Sequence, residues 1–462
     1  MPEGSAGTGL RRPAVEGEMV ELATKLAGAA RAGEELEVYV SRGVETDVRA
    51  YEGEVESLSS AASAGVGIRV VSGGRQGFAY AGSLEESVVA ETLAEARDNL
   101  GFATADPHVA LAAPDGVAAA ALEVWDDAVL STPTEDKVAL ALELEKMTRA
   151  ADPRVRQVSS ADYGDMAVEW AVATSTGITA TSRRTVCSVA TEAIAGQGDD
   201  SQSGFGFSAG RSPDRVDLTR ACADAVERAV RMLGACKAKT GRCVAVLDPR
   251  VTSTLLAIVS SALSGEAVVK GRSMFAGRLG EQVAVGAVTL LDDPTNELAF
   301  GASSYDAEGL ACRRNVLLSA GVLHGFVYDT VSARRAGAVS TGSAVRGGYA
   351  TTPGAGCRAV QLLPGELGRD GILAELDGAL YVQSVTGVHS GVNPVSGDFS
   401  VGAEGLMVRH GELGDPVREI TIASTLQRML QSVLFVGADV EWLPGMAAGQ
   451  TLAIEGISLS GS

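Results

Sequence analysis

The chain has 462 residues, 46% apolar and 21% charged, which is enough for two or three folded units with buried cores. Lys and Arg total 38 against 58 Asp and Glu, a net charge of −20 without any basic run longer than an Arg-Arg pair, which argues against binding to phosphate backbones or anionic membranes. Glycine contributes 56 residues, about 12% against an ordinary share of about 7%, and points to many tight turns between short strands rather than to a collagen-like or low-complexity chain.

The first dozen residues are Gly-rich and polar with no apolar stretch behind them, so no signal peptide is expected. No window reaches the roughly 18 unbroken apolar residues of a membrane span. The six cysteines (Cys187, Cys222, Cys236, Cys243, Cys312, Cys357) show no C-x-x-C and no metal-type spacing, and read as free thiols of a reducing compartment. The expected location is cytoplasmic, with neither nucleic acid nor membrane as a partner.

Residues 1–14 are expected to be disordered. Helical periodicity from Met19 to Arg31 stops at Gly33, a natural C-cap. Strand-like segments follow at Leu36–Val40, Thr46–Ala50, Val55–Ser60, Val66–Val71 and Gly77–Tyr80, punctuated by Gly53, Gly65 and Gly73-Gly74, a meander of hairpins. Ser83 opens a helix that runs to about Leu100, so 15–105 reads as one α+β domain and the Ala-, Asp- and Pro-rich 106–133 as a connector.

Thr134 caps a helix to about Ala151, followed by strands at Val155–Ala161, Met166–Thr174, Gly177–Ser182 and Cys187–Ala195. Gly196 to Gly210 is polar and Gly-rich, a mobile loop by composition, and Asp214 to Lys237 is a long amphipathic helix. These make a middle α+β domain, 134–239. From 240 to 462 the texture is β-rich: a buried-type strand ending at Asp248-Pro249, an apolar helix Val251–Leu263, then strands including Val283–Leu291, Leu310–Leu318, Ala379–Val385, Phe399–Arg409 and Glu412–Thr421, with one helix at Ala423–Leu434. The expected fold class is α+β, N-terminal two-layer α/β domains with an antiparallel meander followed by a β-rich C-terminal domain.

The common enzymatic signatures are missing: no G-x-x-x-x-G-K-[ST], no H-E-x-x-H, no G-x-S-x-G. Of His108, His324, His389 and His410, only His389 lies in a polar loop, and with no partner nearby in sequence it reads first as a surface histidine. Gly391 to Ser400, with Asn393, Asp398 and Phe399, is the densest turn cluster and fits a functional loop and a structural one equally. Arg334, Arg335 and Arg346 lie near hydroxyls and glycines, where a fork could hold a carboxylate, although pairing with local acids is the simpler reading.

Taken together, several segments resemble one family. Asp248-Pro249-Arg250 with the apolar helix after it, Gly265 to Gly271, Phe275-Ala276-Gly277-Arg278-Leu279-Gly280, Leu291-Asp292-Asp293-Pro294, Arg313 to Leu317, Asp329 to Arg335, Ser340-Thr341-Gly342, Asn393 to Ser400 and Glu419 to Ala423 are similar, in this order, to the C-terminal half of TldD/PmbA proteins. Val55 to Ser59 and Gly77 to Tyr80 are similar to the N-terminal part, so the resemblance covers nearly all of the chain after about residue 15.

The resemblance implies a heterodimeric zinc metallopeptidase that trims peptides inside a closed chamber. In that family the TldD subunit carries H-E-x-x-x-H on a helix and a downstream Cys, whereas the PmbA (TldE) subunit lacks them. Alignment places the motif on Leu256 to Ser261, with Leu256 and Ser261 at the two histidines and Ala257 at the glutamate; the Cys position falls near Val436 to Asp439, where there is none. The implied protein is therefore TldE/PmbA-like. It would have no catalytic residue and no bound cofactor of its own, a zinc-bearing TldD-like partner and a peptide substrate. Candidate substrate or interface residues are His389, Asn393, Asp398, Phe399, Arg334 and Arg346. Three other readings stand beside it: amide hydrolysis in secondary-metabolite biosynthesis, a regulatory gyrase-modulator protein, and a homodimer acting through Cys312 or Cys357.

Overall fold

The computed structural model describes residues 14–461. The expected disordered segment thus lies outside the described residues, apart from Ala14. Helix α1 (Ala14–Ala27) leads into a hairpin of long strands, β1 (Glu35–Tyr51) and β2 (Glu54–Ser72), then β3 (Arg75–Ala81) and α2 (Glu86–Leu100). After the short α3 (Ala128–Ser131) come α4 (Thr134–Ala150), β4 (Val155–Thr174), β5 (Thr179–Ala195), β6 (Gln202–Gly210) and α5 (Leu218–Val230).

All six strands form one antiparallel sheet in the order β3-β2-β1-β4-β5-β6. The expected units 15–105 and 134–239 therefore contribute three strands each to a single sheet, joined where β1 pairs β4 from Glu37↔Thr174 to Ala50↔Ala161. The alternation of β1 explains the layering. Val38, Val40 and Val48 bury under helices, whereas Tyr39 points to the opposite face, where it packs with Val172, Ala180, Tyr305 and Tyr349.

Several local expectations change: Val155–Ala161 and Met166–Thr174 form one strand, and Gly177–Ser182 and Cys187–Ala195 merge into β5. Leu36–Val40 and Thr46–Ala50 are one strand, and so are Val55–Ser60 and Val66–Val71, because Gly43 and the Ser/Ala run 57–65 stay in register with their neighbours instead of turning. Residues 202–210 are strand β6 rather than a mobile loop. Gly204 and Gly206 let α5 lie directly on it: a Cβ there would come within 2.1 Å of Ala225 O and 2.0 Å of Ala221 O. The helix expected over Asp214–Lys237 is confined to Leu218–Val230, capped by the Asp217 carboxylate, which accepts from Arg220 N.

The C-terminal region begins with β7 (Gly241–Leu247), α6 (Pro249–Ala262) and α7 (Gly265–Val269). Then follow β8 (Leu290–Asp292), β9 (Asn315–Ser319), β10 (Val322–Leu323), α8 (Thr330–Ala336), β11 (Ala344–Val345), β12 (Gly354–Ala355), β13 (Val360–Leu362) and α9 (Arg369–Ala374). The last elements are β14 (Leu380–Thr386), α10 (Val388–Gly391), β15 (Asp398–Arg409), β16 (Glu412–Thr425), α11 (Leu426–Gln431), β17 (Val433–Val436), β18 (Glu441–Trp442), β19 (Ala448–Gly449) and β20 (Leu452–Ser460). The main sheet runs β16-β15-β14-β7-β20-β17, and an extra β16–β20 pairing curls it back on itself.

The strand expected over Val283–Leu291 shrinks to Leu290–Asp292. Val283 and Ala284 are buried in a loop whose amides both donate to Gly321 O. Likewise Leu310–Leu318 is a strand only from Asn315, with a single bridge from Ala311 to Tyr305 before it, and the helix expected at Ala423–Leu434 starts at Leu426, because Thr421 to Ala423 are held between β15 and β20. The fold is a mixed α+β structure with antiparallel sheets and a β-rich C-terminal part. No helix among the described residues is long and apolar enough to cross a membrane.

Candidate functional site

Helix α6 is where the sequence pointed, and its residues explain its placement. Asp248 caps it, its carboxylate accepting from Arg250 N at 3.0 Å, and Pro249 takes the first helical position, where no amide donor is needed. Val251, Leu255, Leu256, Val259 and Ala262 form the buried stripe. Leu256 is 1% exposed, surrounded by the main C-terminal core.

Ala257 is half-buried, and Ser261 is exposed with its hydroxyl donating to Ile258 O of its own helix at 2.7 Å. A zinc ion needs nitrogen, sulfur or carboxylate donors at about 2.0–2.3 Å. A leucine turned into the core, a methyl group and a hydroxyl engaged by its own helix do not supply them. Among the described residues no three His, Cys, Asp or Glu side chains are grouped as a metal would require. These positions do not fit the metal that the resemblance implies.

A groove of about 460 Å³ runs beside the first turns of α6, between the start of β6 and the end of β14. It is lined by Phe205 of β6, Val251 and Thr254 of α6, Gln383 to Thr386 of β14 and Glu404 of β15. Strand β7 pairs with β14 only at Leu380–Val382, so Ser384 to Thr386 have β15 on one side and no strand on the other. The groove therefore contains a free strand edge.

Arg228 and Arg250 separate this groove from a second cavity of about 620 Å³ lined also by Arg220, Asp370, Asp439 and Glu441. Both arginines are neutralised in place. Arg228 contacts Asp224 and Asp248 at 2.7 Å each; Arg250 pairs with Asp224, donates to Phe205 O at 2.6 Å and lies 4.4 Å from the Phe207 ring centroid. Tyr381 of β14 donates to Asp248 at 2.7 Å, and Arg228 of α5 ties the same cap of α6 to the N-terminal part.

The six candidate residues do not converge. His389 is exposed on α10, just past the free edge of β14. Asn393 accepts from Val395 N at 2.9 Å and Ser396 N at 3.3 Å, an Asx turn, while Asp398 accepts from Ser396 Oγ at 2.6 Å. Phe399 is buried in the core, which leaves it no surface for a ligand.

Arg334 lies on a different face, donating to Pro107 O at 3.1 Å. Arg346 is enclosed between the N-terminal sheet and the C-terminal part: it reaches Glu37 and Ala307 O at 2.7 Å each and stacks 4.3 Å from the Tyr39 ring centroid. It holds an internal carboxylate rather than an external one.

Arg346 belongs to a buried ionic layer that pattern reading missed. Arg69, 2% exposed, contacts Glu37 at 2.6 Å and Glu308 at 3.4 Å, and Glu308 also accepts from Thr330 N at 3.0 Å and Thr330 Oγ1 at 2.7 Å. Asp306 accepts from the amides of Glu308, Leu310 and Ala344. Burial pushes Asp306 up to about 6 and Glu308 up to about 7, against the pull of Arg69 on the latter. The two arginines hold Glu37 below the usual carboxylate range in spite of its burial. Cys312 and Cys357 lie buried in the same region, and burial pushes the Cys312 thiol up to about 12 and Cys357 up as well. Buried thiols held protonated are poor nucleophiles, which weighs against the cysteine reading.

Three family models match in succession, PmbA/TldA metallopeptidase domain 1 over residues 36–122, the central domain over 127–233 and the C-terminal domain over 240–461. The chain belongs to the PmbA/TldD family. It is 26% identical over 441 residues to metalloprotease PmbA of Escherichia coli O157:H7, covering 95% of this chain and 94% of that one. It is also 26% identical over 388 residues to the metalloprotease TldD homolog of Haemophilus influenzae, covering 82% and 80%. Two solved structures share the fold at 24% identity. One is a Thermotoga maritima protein described as a modulator of DNA gyrase, with TM-score 0.87 over 96% of this chain and all of that one. The other is TldE of Thermococcus kodakarensis, with TM-score 0.83 over 97% and 100%.

Proposed function

We propose that this chain is the metal-free, TldE/PmbA-like subunit of a two-chain zinc peptidase, completing a peptide-handling chamber around a TldD-like partner that carries the metal. The observation that supports this is the donor set of α6. Relatives named PmbA and TldD are both 26% identical to the chain, so percentage identity does not discriminate, whereas Leu256, Ala257 and Ser261 offer no ligand and no general base. In this reading the groove beside α6 receives an extended peptide, whose backbone adds to the free edge of β14. The hydrolytic step belongs to the partner.

Co-expression with a TldD-like chain from the same genome tests the assignment. The two chains are expected to co-purify in equal amounts and to cleave an unstructured peptide that neither cleaves alone. A chain that elutes free of the partner, with the partner fully active by itself, would overturn it.

A further inference from the structure

The groove has one charge that nothing balances. Its arginines are matched by Asp224 and Asp248, but the half-buried Glu404 carboxylate meets no donor among the described residues. Glu404 pairs directly with Ser384 across the β15–β14 ladder, so both side chains stand on the same face of the sheet. Strands are spaced about 4.8 Å apart, so a peptide strand added on the open side of β14 lies about 9.6 Å from β15. Ser384 between them is small. Opposite Thr386 there is a glycine, Gly402, where a Cβ would lie 2.5 Å from Thr386 Oγ1.

A peptide main-chain amide cannot bridge that separation. A Lys side chain, with its four-carbon stem, can pass over Ser384 and meet a Glu extending from the other side. Phe205, 47% exposed on the groove wall, offers an apolar surface for the stem. From this geometry we infer that Glu404 is a specificity residue, selecting peptides with a basic side chain opposite Ser384. The inference rests on the peptide-handling reading above and names its substrate class.

The test uses the full-length chain and a fluorescein-labelled, N-acetylated decapeptide of Ala, Val and Ser with one central Lys, beside versions with Gln or Glu at that place. Anisotropy is expected to show about tenfold tighter binding of the Lys peptide than of the Gln peptide, a preference lost in Glu404→Gln. Glu404→Lys is expected to favour the Glu peptide instead, a gain that a misfolded variant cannot produce. A wild-type chain indifferent to the central residue, or a Glu404→Gln variant that keeps the preference, would overturn the assignment. Co-purification of the same variants with the TldD-like partner is expected to be unchanged, so failure of the Glu404 assignment is separable from failure of the heterodimer reading.

Discussion

Replacing Arg69 by Ala is expected to lower the stability of the chain by about 3–5 kcal/mol, because it leaves Glu37 and Glu308 as buried carboxylates lacking their common cation. The geometry leaves no substitute. Glu37 and Glu308 are 1% and 0% exposed, and the remaining nearby cation, Arg346, already contacts Glu37 and the Ala307 carbonyl. The three residues come from β1, β2 and the 305–310 loop, so the loss falls on the junction between the N-terminal sheet and the C-terminal part.

The sign of the pH effect follows from the raised acids. Asp306 and Glu308 have folded values of about 6 and about 7, above their ordinary 3.8 and 4.5. Their contribution to stability is fully present below the ordinary values and is lost as pH rises through the folded ones. Protonated Glu308 needs no cation, so the Arg69→Ala deficit is expected to be smaller at pH 6 than at pH 8. Urea unfolding of both proteins at the two pH values checks this. A deficit below about 1 kcal/mol at pH 8 would show that the layer does not join the N-terminal sheet to the C-terminal part.

The second large effect concerns α6. Leu256→His restores the first of the two histidines of the zinc motif, yet it is expected to destabilise the chain by about 3 kcal/mol. The substitution removes packing at a position 1% exposed and puts a polar imidazole among the apolar side chains of the main core. Ser261→His, at the second histidine, stands in water and is expected to change stability by no more than about 0.5 kcal/mol. Denaturant midpoints of the two variants make the comparison. Equal, small effects would mean that Leu256 is not part of the core and that α6 could rotate to present a site.

Much of the N-terminal architecture was legible because amphipathic strands and helices announce themselves by periodicity. Ser83 to Leu100 and Thr134 to Ala151 lead into helices close to where periodicity places them, but without the expected hydroxyl caps, and the first helix runs Ala14–Ala27 rather than Met19 to Arg31. Glycine was harder to interpret. In Gly73-Gly74 it makes a turn with φ of 57° and 72°, but at Gly204 and Gly206 it clears the way for a helix, and composition alone does not distinguish these uses.

The degenerate metal motif is read through resemblance alone; α6 places Leu256 in the core and Ser261 at the surface. The groove was not legible. It is lined by a strand end whose neighbour stops short, and Glu404 occupies an unremarkable position in an alternating strand. The ionic layer was equally hidden, since Glu37 and Arg346 are 309 residues apart in sequence. Long-range pairing of charges has no periodic signal.

Zinc content of the full-length chain, purified alone after growth in zinc-supplemented medium, tests the central claim most directly. Elemental analysis after dialysis is expected to find far less than one zinc per chain, together with one zinc per heterodimer when the TldD-like partner is present. A stoichiometric zinc retained by this chain alone, with peptide cleavage, would contradict it.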